Sequence, residues 1–373
     1  MLRGFYLTLL MGPMVPIPAP QPVVDALTSA QITTSAGSAS GFQLTFAISK
    51  KSLLNQVLLP AGFFDPKIRV ILVLTMNGLP TVLMDGVITQ HTVTPSNDPG
   101  QSTLSVTGQD LTLVMDLKDE KMCFPGMPAE ARVALICLKY FLYGIVPLPI
   151  PTVLMDIPNP IEQIPVQSST DLQYIQALAE EAGYVFYIDP GPLPGMNIAY
   201  WGPEIRIGIP QPALNVNMDA ESNVESLSFT CDGLAKKQMA VSITEPNTKI
   251  TIDIPIPDIG ILRPPLAARP IFPLRTKPVP CSSKWSPVQA MLLGLGQTAQ
   301  ASDSVSGSGQ LDVLRYGHIL KARQLVSVRG AGLAYDGFYY VKSVTHNLKR
   351  GEYKQSFSLA RDGMISLTPQ VMP

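Results

Sequence analysis

The sequence predicts a mainly β protein with minor α/β content: two small β-barrel domains related by internal duplication, plus an inserted helix–strand domain. Three observations predict it. Short stretches near both ends alternate apolar and polar residues with the two-residue period of a strand. The 36 prolines among 373 residues cluster at 13–22, 147–165 and 246–287; proline cannot donate to a β-ladder, so these clusters divide the chain into blocks. Finally, LMDGVITQHTV, a turn and STLSVTGQD (83–110) are echoed by AYDGFYYVKSVTHNL, a turn and KQSFSLARDG (334–363). Both copies have an Asp-Gly turn, an alternating strand with Thr and His near its end, and a return strand ending in an acid. The expected domains are 1–120 (first barrel), 121–214 (insert) and 215–373 (second barrel, with a Pro-rich excursion at 254–310).

The first block opens with MLRGFYLTLLMGPMVPIPAP, which imitates a secretory signal through one Arg and an apolar run. The run stops at Gly12-Pro13 and no clean small-x-small cleavage site follows, so the expectation is a first strand over 5–11 and then an extended Pro-rich segment. Alternation marks a strand over 42–48, and a run rich in β-branched residues marks another over 68–76. Asn77-Gly78 is a type I′ hairpin signal; the chain returns over 80–84, turns at Asp85-Gly86 and continues over 87–93. Asn97-Asp98-Pro99-Gly100 turns it into 102–108. This meander of short antiparallel strands can close into a small barrel.

In the second block, Pro128 opens an apolar helix over 129–143. Its neighbourhood is the best membrane-span candidate, but Lys139 sits at its middle and Pro147 ends it, short of the ~20 apolar residues a span needs. Thr170-Asp171-Leu172-Gln173 has the form of a capping box, and Leu172, Ile175, Leu178, Ala179 and Ala182 line one helical face. Gly183 supplies the stop. A strand over 184–188 ends in the turn Asp189-Pro190-Gly191. The third block carries strands over 226–230, 237–244 and 249–254, a helix over 286–301, a flexible Ser/Gly joint at 304–309, and strands over 324–329, 337–348 and 353–361.

Composition bounds the function. Apolar residues make up 46% and charged residues 15%, with mean hydropathy +0.21; such a chain has surface to bury in an assembly. The net charge of −1 excludes a general attraction to nucleic acid. Within 315–361, however, nine Lys and Arg (Arg315, Lys321, Arg323, Arg329, Lys342, Lys349, Arg350, Lys354, Arg361) face only Asp336 and Glu352, which predicts a basic face. Cys123, Cys137, Cys231 and Cys281 form no CxxC or Cys/His cluster and read as reduced, mostly buried thiols. There is no GxSxG, HExxH, GxxxxGK[ST], or GxGxxG after a strand. His91 and His346 fall at equivalent strand ends of the repeat, His318 has no carboxylate pattern beside it, and Glu180-Glu181 reads as a solvated helix end. Tyr316, Tyr339, Tyr340 and Tyr353 beside Lys342, Lys354 and Arg361 could stack single-stranded nucleic acid, but cross-strand aromatic packing explains them more simply. No catalytic, cofactor or metal residue is therefore assigned, and no cofactor is expected.

The segment DLQYIQALAEEAGYVFYID (171–189) resembles the helix–strand of late-control-gene-D tail proteins and of the VgrG hub module. RYGHILKARQLVSVRGAG followed by YDGFYYVKSVTHNLKRGEYKQSFSLARDG (315–363) is similar to the second barrel of that group. GFQLTFAIS (41–49) and MDGVITQHTV are similar to its first. The resemblance implies a non-enzymatic homotrimeric ring in a phage-like tail or contractile injection particle. Such a ring adapts a six-fold tail tube to a three-fold spike. The implied partners are the tail tube protein, baseplate wedge proteins and a spike protein. The spike is expected to be separate, because the sequence ends at Pro373 without fused spike repeats, and no lysozyme-like insertion is present. Assembly in the cytoplasm, without specific nucleic-acid binding or stable membrane insertion, is expected. Arg315, Arg323, Arg329, Lys349, Arg350 and Lys354 are the candidate assembly-interface residues, chosen for charge and expected exposure. The alternatives are a secreted carbohydrate-binding or adhesin β-protein and a tail-associated hydrolase.

Overall fold

A computed structural model describes residues 4–98, 101–152, 161, 164–244, 251–255, 263–278, 294, 296, 298 and 302–367. The first strands are β1 (Phe5–Gly12), β2 (Ile17–Pro18), β3 (Leu27–Ser35), β4 (Gly41–Ala47), β5 (Arg69–Met76), β6 (Leu79–Thr94) and β7 (Thr103–Asp110). Helix α1 (Gln21–Ala26) interrupts the Pro-rich lead-in, with Pro22 in its first turn where a missing N–H costs nothing. Phe42, Leu44 and Phe46 of β4 are buried while Gln43, Thr45 and Ala47 are not, so the sequence alternation is the pleat itself. Asn77 (φ 52°) and Gly78 (φ 82°) make the expected primed turn between β5 and β6.

The next strands are β8 (Met122–Cys123), β9 (Ile145–Pro149), β10 (Val166–Gln167), β11 (Val185–Pro190) and β12 (Asn197–Gly202). They accompany helices α2 (Ala129–Leu138) and α3 (Asp171–Ala182). Thr170 caps α3 by accepting from Gln173 N at 3.3 Å, and Gly183 ends it in the left-handed conformation (φ 67°). The reciprocal half of the capping box is replaced: Gln173 Nε2 reaches Asp116 Oδ1 at 3.4 Å. A core of Val87, Leu111, Phe124, Ile136, Ile175 and Trp201 packs this segment against the end of the first sheet region.

The last strands are β13 (Gln211–Asn215), β14 (Val224–Cys231), β15 (Lys237–Thr244), β16 (Thr251–Pro255), β17 (Ala267–Pro270), β18 (Arg275–Pro278), β19 (Val305–Asp312), β20 (Leu325–Arg329), β21 (Gly337–Lys349), β22 (Glu352–Arg361) and β23 (Gly363–Ser366). Of the helix expected over 286–301, only Gly294, Gly296 and Thr298 are described, and they are helical; Cys281 and the rest lie outside the described residues.

Thirteen described strands form one sheet. The order β3-β4-β7-β6-β5-β1 in one half is matched by β14-β19-β22-β21-β20-β13 in the other. The agreement extends to irregularities. A bulge lies between Leu27 and Ser29 in β3 against β4, and between Val224 and Ser226 in β14 against β19. A second lies between Ile88 and Gln90 in β6 against β7, and between Val341 and Ser343 in β21 against β22. Lys67 (φ 74°) donates its backbone N–H to Ile88 O, as Arg323 (φ 65°) does to Val341 O. Bulges are placed features of a fold, and their recurrence at equal register is the signature of a duplicated module. The modules differ at one edge: β1 runs antiparallel to β5, whereas β13 runs parallel to β20. They also share a core, in which Ile32, Phe46 and Leu72 meet Val326, Val344 and Phe357.

Three expectations are corrected. Asp85-Gly86 is no turn; β6 runs unbroken through it, and only Asp336 precedes a strand start. Superposing the bulges therefore shifts the repeat by two residues from the Asp-Gly alignment. Val93, not His91, corresponds to His346, and His91 corresponds to Val344. The Ser/Gly joint at 304–309 is the strand β19. A Cβ at Gly307 would meet Phe229 Cε1 at 2.9 Å, and one at Gly309 would meet Phe357 Cζ at 2.7 Å. These glycines let aromatic rings lie across the strand.

Candidate assembly interface

The two modules meet edge to edge. β3 of the first pairs antiparallel with β21 of the second, from Ser343↔Ser35 to Lys349↔Ser29. Thr33 Oγ1 and Thr345 Oγ1 lie 3.0 Å apart across this junction. Beside them Ile32 is fully buried and His346 is 4% exposed. His346 Nδ1 meets Tyr353 OH at 2.7 Å and Gln355 Nε2 at 3.2 Å. Gln355 is oriented by Leu320, whose N–H it accepts and whose carbonyl it donates to. Its Nε2 can only donate, so Nδ1 of His346 accepts and the ring proton sits on Nε2. Burial pushes this imidazole down to about 4, so it is neutral at pH 7.

Two ion clusters fix the insert to the modules. Arg69 forks onto Asp85 (2.8 and 2.7 Å), which also accepts from Asn197 Nδ2 at 2.8 Å, and Arg69 NH2 reaches Tyr143 O at 2.7 Å. Arg206 forks onto Asp303 (both 2.7 Å) and reaches Glu204 at 2.9 Å. Lys342, displaced by the β21 bulge, adds Glu204 at 2.9 Å and Asp303 at 3.2 Å. Burial would raise both carboxyls, but Lys342, Arg206 and Arg263 together hold Glu204 and Asp303 below the ordinary range. Both carboxylates are thus held ionised among the cations that tie the insert to the second module. Among the described residues no group of three or more His, Cys, Asp or Glu is arranged to hold a metal.

The six basic candidates separate. Arg315, in the one-turn helix Val313–Tyr316, lies with Lys349, Arg350 and Lys354 at one end of the sheet, where Asp312 pairs with Lys354 and Lys349 with Glu352. Arg315, Lys349 and Arg350 are exposed; Arg350 donates to Asp25 O. Lys354 is half-buried and bridges Glu225 (3.0 Å) and Glu352 (3.4 Å). Arg329 is exposed but ends β20 beside the start of β21, so the thirteen-residue strand separates it from Lys349 by roughly 40 Å. Arg323 contradicts the exposure expected of it. It is 8% exposed, donates to Ser35 O (3.1 and 2.6 Å), pairs with Asp189, and lies 3.9 Å from the Tyr187 ring centre. Arg361 is likewise buried, donating to Gly363, Asp336 and Ala334 carbonyls. The basic strip of the sequence is thus partly internal. Tyr316, Tyr339, Tyr340 and Tyr353 are all buried, which makes them packing residues.

What charge did not reveal is that, among the described residues, two strand edges lack a partner strand. β14 pairs with β19 on one side, and no described strand lies on the other. β6 leaves β5 at Val87; from residue 89 to Thr94 its β5-side edge carries no described strand. Val93 is 38% exposed. The counterparts of these two edges are β3 and the second half of β21, which cover each other.

No protein-family profile matches the sequence, and no curated protein matches it. Solved structures do. The tail protein from Neisseria meningitidis MC58 superposes with TM-score 0.63 at 14% identity, over 97% of this chain and 98% of that one. The 43 kDa tail protein of prophage MuSo2 from Shewanella oneidensis superposes with TM-score 0.64 at 14% identity, over 97% and 100%. This is the tail-protein fold. A chain of the Francisella PdpA–VgrG complex shares it, with TM-score 0.61 at 8% identity, over 99% of this chain and 55% of that one. At such identities the likeness is one of fold, and it agrees with the late-control-D and VgrG resemblance of the sequence. No described helix of this tail-protein fold is long and apolar enough to cross a membrane.

Proposed function

We propose that the chain is the non-enzymatic structural hub of a phage-like tail or contractile injection particle. Three copies close into a ring, and two modules per copy present six similar units. That ring adapts a six-fold tube on one face to a three-fold spike on the other. Wedge proteins surround it, and it assembles in the cytoplasm before joining the particle. The observation that carries this reading is the duplicated module with matched bulges. A three-fold object can present six-fold contacts only if each chain repeats its unit, and closed cyclic symmetry then satisfies every edge. The fold shared with phage tail proteins supports it. Arg315, Lys349, Arg350 and Lys354 form the basic end of the sheet proposed to meet an assembly partner, and Arg329 serves the opposite end.

The test is the mass of the purified chain by light scattering, with imaging of the particle. The expected result is a mass three times 40.3 kDa and a ring with six similar lobes. A monomer at micromolar concentration, with the spike protein supplied, overturns the reading.

A further inference from the structure

We infer that β14 of one copy adds to the bare edge of β6 in the next copy, in the register that β3 and β21 use within a chain. The inference rests on the ring reading and specifies the contact that closes it. The occupant of both edges is a second copy of this chain, because the chain already contains the complementary pair. β14 is the positional counterpart of β3, and the free half of β6 is that of β21.

The register follows from the bulges. Matching the β3 and β14 bulges places Ser226 on Ser29, Phe229 on Ile32 and Thr230 on Thr33. Matching those of β6 and β21 places Thr92 on Thr345 and Val93 on His346. Within the chain, Thr345 faces Thr33 and His346 faces Ile32. Between copies, Thr92 therefore faces Thr230, and Val93 faces Phe229. Two features of the sequence answer this register. The Thr33–Thr345 side-chain hydrogen bond of 3.0 Å has its counterpart in a second Thr–Thr pair. The apolar contact has its counterpart in Val93 and Phe229, both incompletely buried in the single chain. Shifting the register by one residue would turn each of these side chains to the wrong face. Pro95 falls on Leu348 and cannot donate, so the ladder ends there. Strand addition of this kind takes affinity from main-chain hydrogen bonds and specificity from alternate side chains. The junction is head-to-tail, since β14 and the free part of β6 belong to different modules, and such contacts close into rings when the rotation permits.

The experiment places cysteines at the two threonines, Thr92→Cys with Thr230→Cys, in a Cys231→Ser background, and oxidises the assembled protein mildly. Cross-strand neighbours ~4.5–5.5 Å apart suit a disulfide. The expected product under denaturing, non-reducing conditions is a covalent trimer. Thr92→Cys with Ser228→Cys, out of register, should cross-link at least tenfold less. Thr33→Cys with Thr345→Cys is the control that must link within one chain. In unmodified protein, the Phe229 and Cys231 amides should be protected from hydrogen exchange in the assembly; this reading needs no variant. A trimer by mass that neither links through residues 92 and 230 nor protects these amides overturns the inference and leaves the ring intact. A monomer overturns the ring and the inference with it. A covalent closed dimer supports the strand pairing and overturns three-fold closure.

Discussion

His346 shows how one residue links the module junction to pH. It is neutral and buried between β3 and β22, accepting at Nδ1 from Gln355. Its folded pKa of about 4 lies below the unfolded 6.5. The unfolded chain therefore binds the proton more readily, and the stabilisation is complete above pH 6.5. It declines as pH falls from 6.5 towards 4, by roughly 3 kcal/mol over that window. Urea unfolding should show about 2 kcal/mol of this loss between pH 7.5 and pH 5, and His346→Gln should flatten the dependence. An unchanged slope in the variant would place the acid sensitivity elsewhere. The sequence made His346 visible as a strand-end residue but paired it with the wrong repeat position. The Asp-Gly dipeptides set the copies 251 residues apart and the two histidines 255 apart; the bulges set 253, so neither motif marks the true register. Arg323 was misread for a related reason. A charge says nothing about exposure when the backbone turns it inward, and Arg323 sits at a positive φ against Ser35 O and Asp189.

At the scale of elements, legibility followed the strength of local signals. The termini of α3 were readable because Thr170 and Gly183 act on their own helix. Strand β4 was readable from alternation, β5 from its run of β-branched residues, and the turn between β5 and β6 from Asn-Gly. β19 was not, since its Ser/Gly composition carries no strand propensity; its partners Phe229 and Phe357 supply the bulk that Gly307 and Gly309 lack. The bare edge of β6 was hidden as well, because Gln90, Thr92 and Thr94 look like any solvated strand. The α3 cap carries the element-scale prediction. Thr170 accepts from Gln173 N and donates to Asp116 Oδ1 at 2.5 Å, tying α3 to the turn after β7. Thr170→Ala should cost about 1–2 kcal/mol in chemical denaturation. Thr170→Ser, which retains the hydroxyl, should recover most of it. Equal losses in both variants would mean that the methyl contact, not the cap, holds this helix.

At the scale of the molecule, the sheet runs unbroken from one module into the other, so the halves cannot relax independently. The β3–β21 junction joins residues 312 positions apart in sequence at Thr33 and Thr345. Contacts that distant close a long loop, and their entropic cost falls entirely on folding. A disulfide there should remove much of that cost. The loop-entropy account allows up to about 6 kcal/mol for a span of this length, less whatever native strain the bridge introduces. The geometry is favourable, because the two hydroxyls already touch and neither side chain crosses the core. Thr33→Cys with Thr345→Cys should therefore raise the thermal midpoint of the oxidised chain by several degrees over its reduced form. The transition should remain single, since the shared core of Ile32, Phe46, Val344 and Phe357 couples both modules. A second, separate transition in the oxidised protein would show that the modules unfold apart despite the common sheet. The ring reading would then lose its rigid building block, because a hub that flexes at β3–β21 could not hold six equivalent edges in register for a neighbouring tube.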